Sequence, residues 1–295
     1  MIESPDKEQL LLLQLAELTK KDPDIIFDRV KQFFHLSEKS FSNIYQYSGF
    51  IKKGYCPILY SNHQSHADGV ILSIVIDYVL QDVSSHFLKG FFCPIAASIA
   101  HGGQDNRVQG VSDIFLPVFE RKGLFMLQVI RKDDREKYGM VGSNRESIEK
   151  LLHAPHENYG LAIFPEGRVQ GGRVDKDGKI HGIQSADEGL SLVIKCLTFW
   201  HGQGKESVLL PVGIIDSYKL FSPDSYHISE SLVAMLSGKE EIKPIAEIAV
   251  GKPFTSLDMQ GDLGSLPDPR NAKHIFYIMH KVAELLPKEA RGYYG

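Results

Sequence analysis

Pro57-Ile-Leu-Tyr-Ser-Asn-His-Gln-Ser-His-Ala-Asp68 is the stretch from which the rest of the chain can be read. An apolar run, Ile58, Leu59 and Tyr60, passes into a polar turn that carries Asn62, His63, Ser65, His66 and Asp68. A second apolar run, Val70 to Leu80, begins at once. The short run bounded by a turn reads as a buried strand, and the longer one as a helix. A strand end is a stiff place from which to present an ionisable group. His63 and Asp68 would point about 140° apart on a continuous helix. They meet only if His63 sits in the turn and Asp68 at or just before the first helical turn, where the helix dipole also favours a carboxylate. Three readings fit these residues. They are a base with its orienting carboxylate, a turn histidine beside an N-cap aspartate, or a metal site made of His63, His66 and Asp68.

Outward from that stretch, the N-terminal part predicts two amphipathic helices, over 6–20 and 23–48, broken at Asp22-Pro23. Together they form a helical segment, residues 1–54, joined through Lys52-Lys53-Gly54 to a domain over 55–295. In that domain, short apolar strands alternate with helices. Phe87–Ala100 reads as a strand leading to a helix or as an apolar surface, and Leu124–Ile130 as a further apolar segment. A helix over Ser143–His153 is expected, capped by Ser143 or Asn144, with Ile148, Leu151 and Leu152 facing inward. Leu161–Phe164 is a strand, 169–185 a Gly-rich charged loop, and Asp187–Phe199 a helix. Ser207–Ile215 and Glu247–Val250 are strands, and Asn271–Leu286 is a closing helix. The pattern is that of an α/β protein with a mixed, largely parallel sheet covered by helices on both faces.

The chain of 295 residues is 43% hydrophobic and 24% charged, ordinary values for a globular protein. A net charge of −4 gives no global attraction to nucleic acid or to anionic lipid. Cys56, Cys93 and Cys196 have neither paired nor metal-type spacing, which suits free thiols in a reducing compartment. No stretch approaches the ~18–20 apolar residues of a spanning helix, and Leu10–Leu13 follows an acidic rather than a basic lead-in. The expectation is a cytoplasmic protein, peripheral at a membrane.

A second motif is Phe164-Pro-Glu-Gly-Arg168, a strand that ends in a tight turn and aims Glu166 out of the sheet. Arg168 there could bind phosphate as a planar fork, or could simply join a surface salt bridge. With His63-x4-Asp68 and its preceding Asn62, this motif resembles the glycerolipid acyltransferases, which include the glycerol-3-phosphate and 1-acylglycerol-3-phosphate acyltransferases. Leu209-Leu-Pro-Val-Gly-Ile214 is similar to a further block of that family, Phe125-Met-Leu-Gln-Val-Ile-Arg-Lys132 is a looser match to another, and Gly251-Lys-Pro253 closes the resemblance. It spans residues 55–255. The family usually has Thr between the Gly and the Arg of the second motif, whereas Arg168 follows Gly167 directly.

The resemblance implies acyl transfer from an acyl-CoA or acyl carrier protein thioester to the hydroxyl of a phosphorylated glycerol or lysophospholipid, in phospholipid synthesis. His63 would be the base and Asp68 its orienter. Backbone near Gly167 would stabilise the oxyanion, and Glu166 would orient the acceptor or its arginines. Arg168, Arg131 or Arg173 would take the phosphate. It implies no cofactor beyond the thioester co-substrate and no nucleic-acid partner. The membrane or the acyl chain would meet Ile71–Leu80 and Phe87–Ala100. The competing classes are a metal-dependent hydrolase built on His63, His66 and Asp68, and a non-catalytic lipid-binding relative.

Overall fold

The computed structural model describes residues 7–65, 68–96, 116–130, 135–136, 141–166, 173–174, 180–183, 187–220, 230–265, 268 and 271–295. Helices α1 (Lys7–Lys21) and α2 (Pro23–Lys31) lead to a short strand, β1 (Phe34–Leu36), and helix α3 (Glu38–Lys52). Strand β2 (Cys56–Ser61), helix α4 (Asp68–Asp82), β3 (Gly90–Ala96) and β4 (Leu124–Val129) follow. Then come α5 (Arg145–His153), β5 (Tyr159–Ile163), a small hairpin of β6 (Arg173–Val174) and β7 (Ile180–His181), and α6 (Asp187–Gly202). The last part holds β8 (Ser207–Ile215), α7 (Glu230–Ser237), β9 (Ala246–Val250), β10 (Phe254–Thr255), α8 (Ser256–Leu263) and α9 (Ala272–Ala283).

The main sheet runs in the order β1-β9-β8-β2-β5-β3-β4, with β10 also paired to β8. Five of its ladders are parallel. Among the described residues, only those of β8 with β9 and with β10 are antiparallel. The fold is therefore the α/β class expected, a mostly parallel sheet with helices around it.

Side chains alternate along a strand, so a sheet covered on both faces feeds two cores. Leu59 of β2, Ala162 of β5 and Val208, Leu210, Val212 and Ile214 of β8 join one core with α1 to α4. Ile58 and Tyr60, Leu161 and Ile163, and Leu209 join the other with α5, α6, α8 and α9. Every residue of β2 is buried. This explains why the stretch reads as an unbroken apolar run rather than an alternating one.

The covering helices set the site. The chain leaving β2 crosses the first face as α4 on its way to β3, while the chain leaving the adjacent β5 crosses the opposite face as α6 on its way to β8. Where neighbouring strands send their connections to opposite faces, a crevice opens at their carboxyl ends.

Three expectations need correction here. The helix expected over 23–48 is interrupted. Asp22 caps α2 by accepting the Ile25 N–H at 3.0 Å, but α2 stops at Lys31. The Phe33 carbonyl then accepts the N–H groups of Ile245 and Ala246, Phe34–Leu36 pairs with β9, and Ser37 caps a fresh helix by accepting the Ser40 N–H. Aromatic residues suit a strand, and Ser37 is a strong helix start. The residues from Val70 to Ile76 of α4 are all buried, as is Val79, because this helix is apolar all round. Ile71–Ile76 and Val79 are core, not a face for lipid, while Asp77, Tyr78 and Leu80 are half-buried. On β3, Phe91, Phe92 and Cys93 are core as well, whereas Phe87 before it is exposed; residues 97–100 lie outside the described residues.

At α5, Asn144 occupies the N-cap position without capping. Its amide bonds both backbone groups of Ile130 instead, at 2.7 and 2.9 Å. Leu151 faces inward as expected, but Ile148 is exposed.

Burial raises the Cys56 thiol to about 11 and those of Cys93 and Cys196 to about 12. Thiols held protonated in the fold contribute stability that is complete below the ordinary value of 9.0 and is lost as pH rises toward 12. A disulfide-exchange reagent at pH 8 should titrate none of the three thiols until denaturant is added, and rapid labelling of the native protein would contradict their burial. Leu59→Ala, at a site with no exposure, should lower stability by about 3 kcal/mol. The reading is a lower urea midpoint at unchanged slope, and an unshifted midpoint would refute the packing.

Candidate active site

Beyond the end of β2, the chain must leave the sheet without losing register. Asn62 does this with its side chain. It accepts the Ile214 N–H at 2.7 Å and donates to the Ile214 carbonyl at 2.9 Å. The amide stands in for one more rung of the β2–β8 ladder, which ends at Ser61 opposite Val212. Asn62 is fully buried, so both bonds form away from water, where unpaired backbone groups are costly.

His63 follows, held at three points. Its backbone N–H donates to Oε1 of Glu166 at 3.0 Å. Its ring stacks on Phe164, with centroids 4.3 Å apart and planes 18° apart. Its Nδ1 lies 2.8 Å from Oδ2 of Asp68. Phe164 and Glu166 both come from the end of β5. The two sequence motifs thus meet across the crevice between the adjacent strands β2 and β5.

Asp68 is the first residue of α4, and its side chain is completely buried. The carboxylate turns back into the preceding turn rather than capping the helix. Oδ2 accepts from the Gln64 N–H at 2.5 Å, the Ser65 N–H at 2.9 Å and His63 Nδ1. Oδ1 accepts from the hydroxyls of Ser65 at 3.2 Å and Ser217 at 2.6 Å. All of these neighbours donate, and the helix N-terminus adds a favourable potential. The ring nitrogen facing such an acceptor carries the proton, so in the neutral imidazole Nε2 holds the lone pair. Nε2 has no hydrogen-bond partner among the described residues, and the His63 side chain keeps 17% of its surface exposed. The arrangement can take a proton from a group that enters the crevice.

Of the other residues singled out in the sequence, Arg131, Gly167, Arg168 and His66 lie outside the described residues. Arg173 lies on β6, with its backbone opposite His181 in the hairpin. Among the arginines outside the sequence motifs, Arg121 is exposed and pairs with Asp24 at 2.8 Å. Arg291 donates through Nε to the Leu286 carbonyl, a local structural bond. Among the described residues no three His, Cys, Asp or Glu side chains are grouped to hold a metal ion.

Two buried residues of the site are given no role by the sequence: Ser217, which no motif carries, and Gln64, which lies unassigned inside the first motif. Ser217 follows β8 by way of Asp216, whose left-handed backbone (φ 65°) turns the chain back toward the site. Gln64 accepts the Ser217 N–H through Oε1 at 3.2 Å. Only the pairing of β8 with β2 brings these residues together. A Ser just past an apolar strand is too common to stand out by itself.

No family model matches the chain, and no curated protein matches it.

Asn62→Ala removes both bonds to Ile214 and should lower stability by about 2 kcal/mol. Hydrogen exchange should show the Ile214 amide losing protection while mid-β8 amides such as Leu209 keep theirs. Unchanged protection at Ile214 would show that the side chain does not serve as a rung.

Proposed function

We propose that this protein transfers an acyl group from a thioester to a hydroxyl, with His63 as general base. The observation that carries the reading is the 2.8 Å pair of His63 Nδ1 with a fully buried, multiply bonded Asp68. It stands at the carboxyl ends of β2 and β5, in the crevice between oppositely directed crossovers.

The steps follow from that geometry. A hydroxyl is a poor nucleophile at neutral pH. Nε2 of His63 takes its proton as the oxygen attacks the thioester carbonyl. The ring is then an imidazolium, stabilised by Asp68, which holds the Nδ1 proton without taking it. Collapse of the tetrahedral intermediate breaks the carbon–sulfur bond, and the Nε2 proton goes to the departing thiolate. His63 ends as it began, and no acyl-enzyme forms. Base catalysis of this kind supplies ~10²–10⁴-fold, with positioning and oxyanion stabilisation adding the remainder.

The acceptor class rests on the resemblance to glycerolipid acyltransferases. It is glycerol-3-phosphate or 1-acylglycerol-3-phosphate, with Arg168, Arg131 or Arg173 binding the phosphate. The donor is acyl-CoA or acyl carrier protein. 1-Acylglycerol-3-phosphate and the acylated products belong at a bilayer, so the protein works as a peripheral enzyme. Among the described residues no helix is long and apolar enough to cross a membrane. The same pair weighs against the metal-dependent hydrolase. Both oxygens of Asp68 already accept hydrogen bonds, and a metal ion would have to displace some of those donors.

A thiol-release assay with long-chain acyl-CoA over a panel of phosphorylated and neutral acceptors tests the reading. His63→Ala should lower turnover by at least about 100-fold with its melting temperature retained. Asp68→Asn should do the same, and it spares the buried donors that Asp68→Ala would orphan. A chelator should change nothing. Near-normal thiol release by folded His63→Ala, or abolition by the chelator, overturns the mechanism.

A further inference from the structure

We infer that Ser217 is a positioning residue of the site, the group that fixes the orientation of the Asp68 carboxylate plane toward His63. The role in catalysis rests on the reading of His63 as base; the placement of the proton does not. Asp68 has two chemically equal oxygens and could rotate. The turn that carries Asp68 restrains it through Oδ2, by the Gln64 and Ser65 N–H groups. On Oδ1 the described residues of that turn offer only the Ser65 hydroxyl, at 3.2 Å, and that hydroxyl is equally 3.2 Å from the Ser217 oxygen. One proton cannot satisfy both well. The 2.6 Å bond from Ser217 is the short one, in the range of a charge-assisted O–H to carboxylate contact.

Ser217 is itself held in place. It is completely buried, its N–H donates to Gln64 Oε1, and the left-handed Asp216 sets its direction. Three residues before Asp216–Ser217 stands Gly213, and beside it Ile214 is bound on both backbone groups by Asn62. The hydroxyl is therefore delivered by β8, a strand far from the His63 turn in sequence, and reports the β2–β8 register directly to the carboxylate. Without it, Oδ1 keeps only a shared and longer bond among the described residues. The carboxylate then gains freedom to turn, and the His63 ring loses its fixed acceptor.

The test uses Ser217→Ala and Ser217→Cys. The second nearly keeps the volume but supplies only a weak donor. Proton NMR of the full protein, with the His63 Nδ1 proton assigned by its loss in His63→Ala, reads its exchange with solvent. Both variants should speed that exchange by about tenfold or more, the effect of one lost hydrogen bond. Ser65→Ala should do so less. In the thiol-release assay kcat should fall by about tenfold while KM stays within about twofold, because the carboxylate acts on the base and not on substrate binding. If Ser217→Ala does not fold, Ser217→Cys decides alone. Unchanged Nδ1 exchange in a folded variant overturns the proposal, as does a loss confined to KM. The exchange measurement needs no substrate. If the wild-type protein releases no thiol, the acyl-transfer reading fails while faster exchange still upholds the placement.

Discussion

A carboxylate with no solvent contact is tolerable only when its oxygens are satisfied by protein donors. Asp68 meets that condition with bonds from three separate sources. Its own turn gives two N–H groups and a hydroxyl, the turn after β8 gives a second hydroxyl, and His63 gives a ring proton. The turn's own donors are local, but the Ser217 hydroxyl is available only when β8 and β2 pair in the observed register. The complete site therefore cannot be assembled from the turn alone. It is a product of the β2–β8 pairing, and Asn62 marks the joint by continuing the ladder with a side chain once the backbone has turned away.

The sheet explains why this turn, rather than another, carries the chemistry. β2 and β5 are adjacent and parallel, and their crossover helices go to opposite faces. That divergence leaves room at the carboxyl ends and brings the two exits side by side. Glu166 spans them. In the sequence it reads as a group for the acceptor, yet one of its oxygens holds the His63 backbone. Phe164 stacks on the same ring from the same exit. The histidine is thus fixed in three directions by rigid elements, which is how a base is kept at a usable geometry.

The parts of this arrangement that were legible in the sequence are those set by local pattern. β8 lies where its apolar run places it, Ser207–Ile215, and α9 begins after Asn271, which accepts the Lys273 N–H. The meeting of His63 with Asp68 follows from the requirement that one sit in the turn and the other at the helix start. The missed features depend on distant chain. β1 is a strand because β9 offers it an edge, and Phe33–Leu36 alone looks like more helix. Hydropathy marks α4 as apolar on every side but does not say whether protein or lipid covers it. Thr255 and Asp258 form a reciprocal cap that could have announced α8, although the usual signature has Glu or Gln in the second place. Ser217 had no local signal at all.

That contrast bears on how the site holds together. The His63 and Asp68 pair is carried by one short segment, so sequence finds it, but a pair by itself is also what an ordinary capped turn would look like. What separates a base from a bystander is the support around it, and here that support comes from β5 and β8. Glu166, Phe164 and Ser217 make no hydrogen bond with Nε2; each holds the histidine or its carboxylate from another side. Because these holds cross the sheet, loosening the pairing of β8 with β2 would disturb the orientation of Asp68 together with the two cores, to which both strands contribute. Chemistry and strand register are in this way one constraint, imposed through a single buried carboxylate.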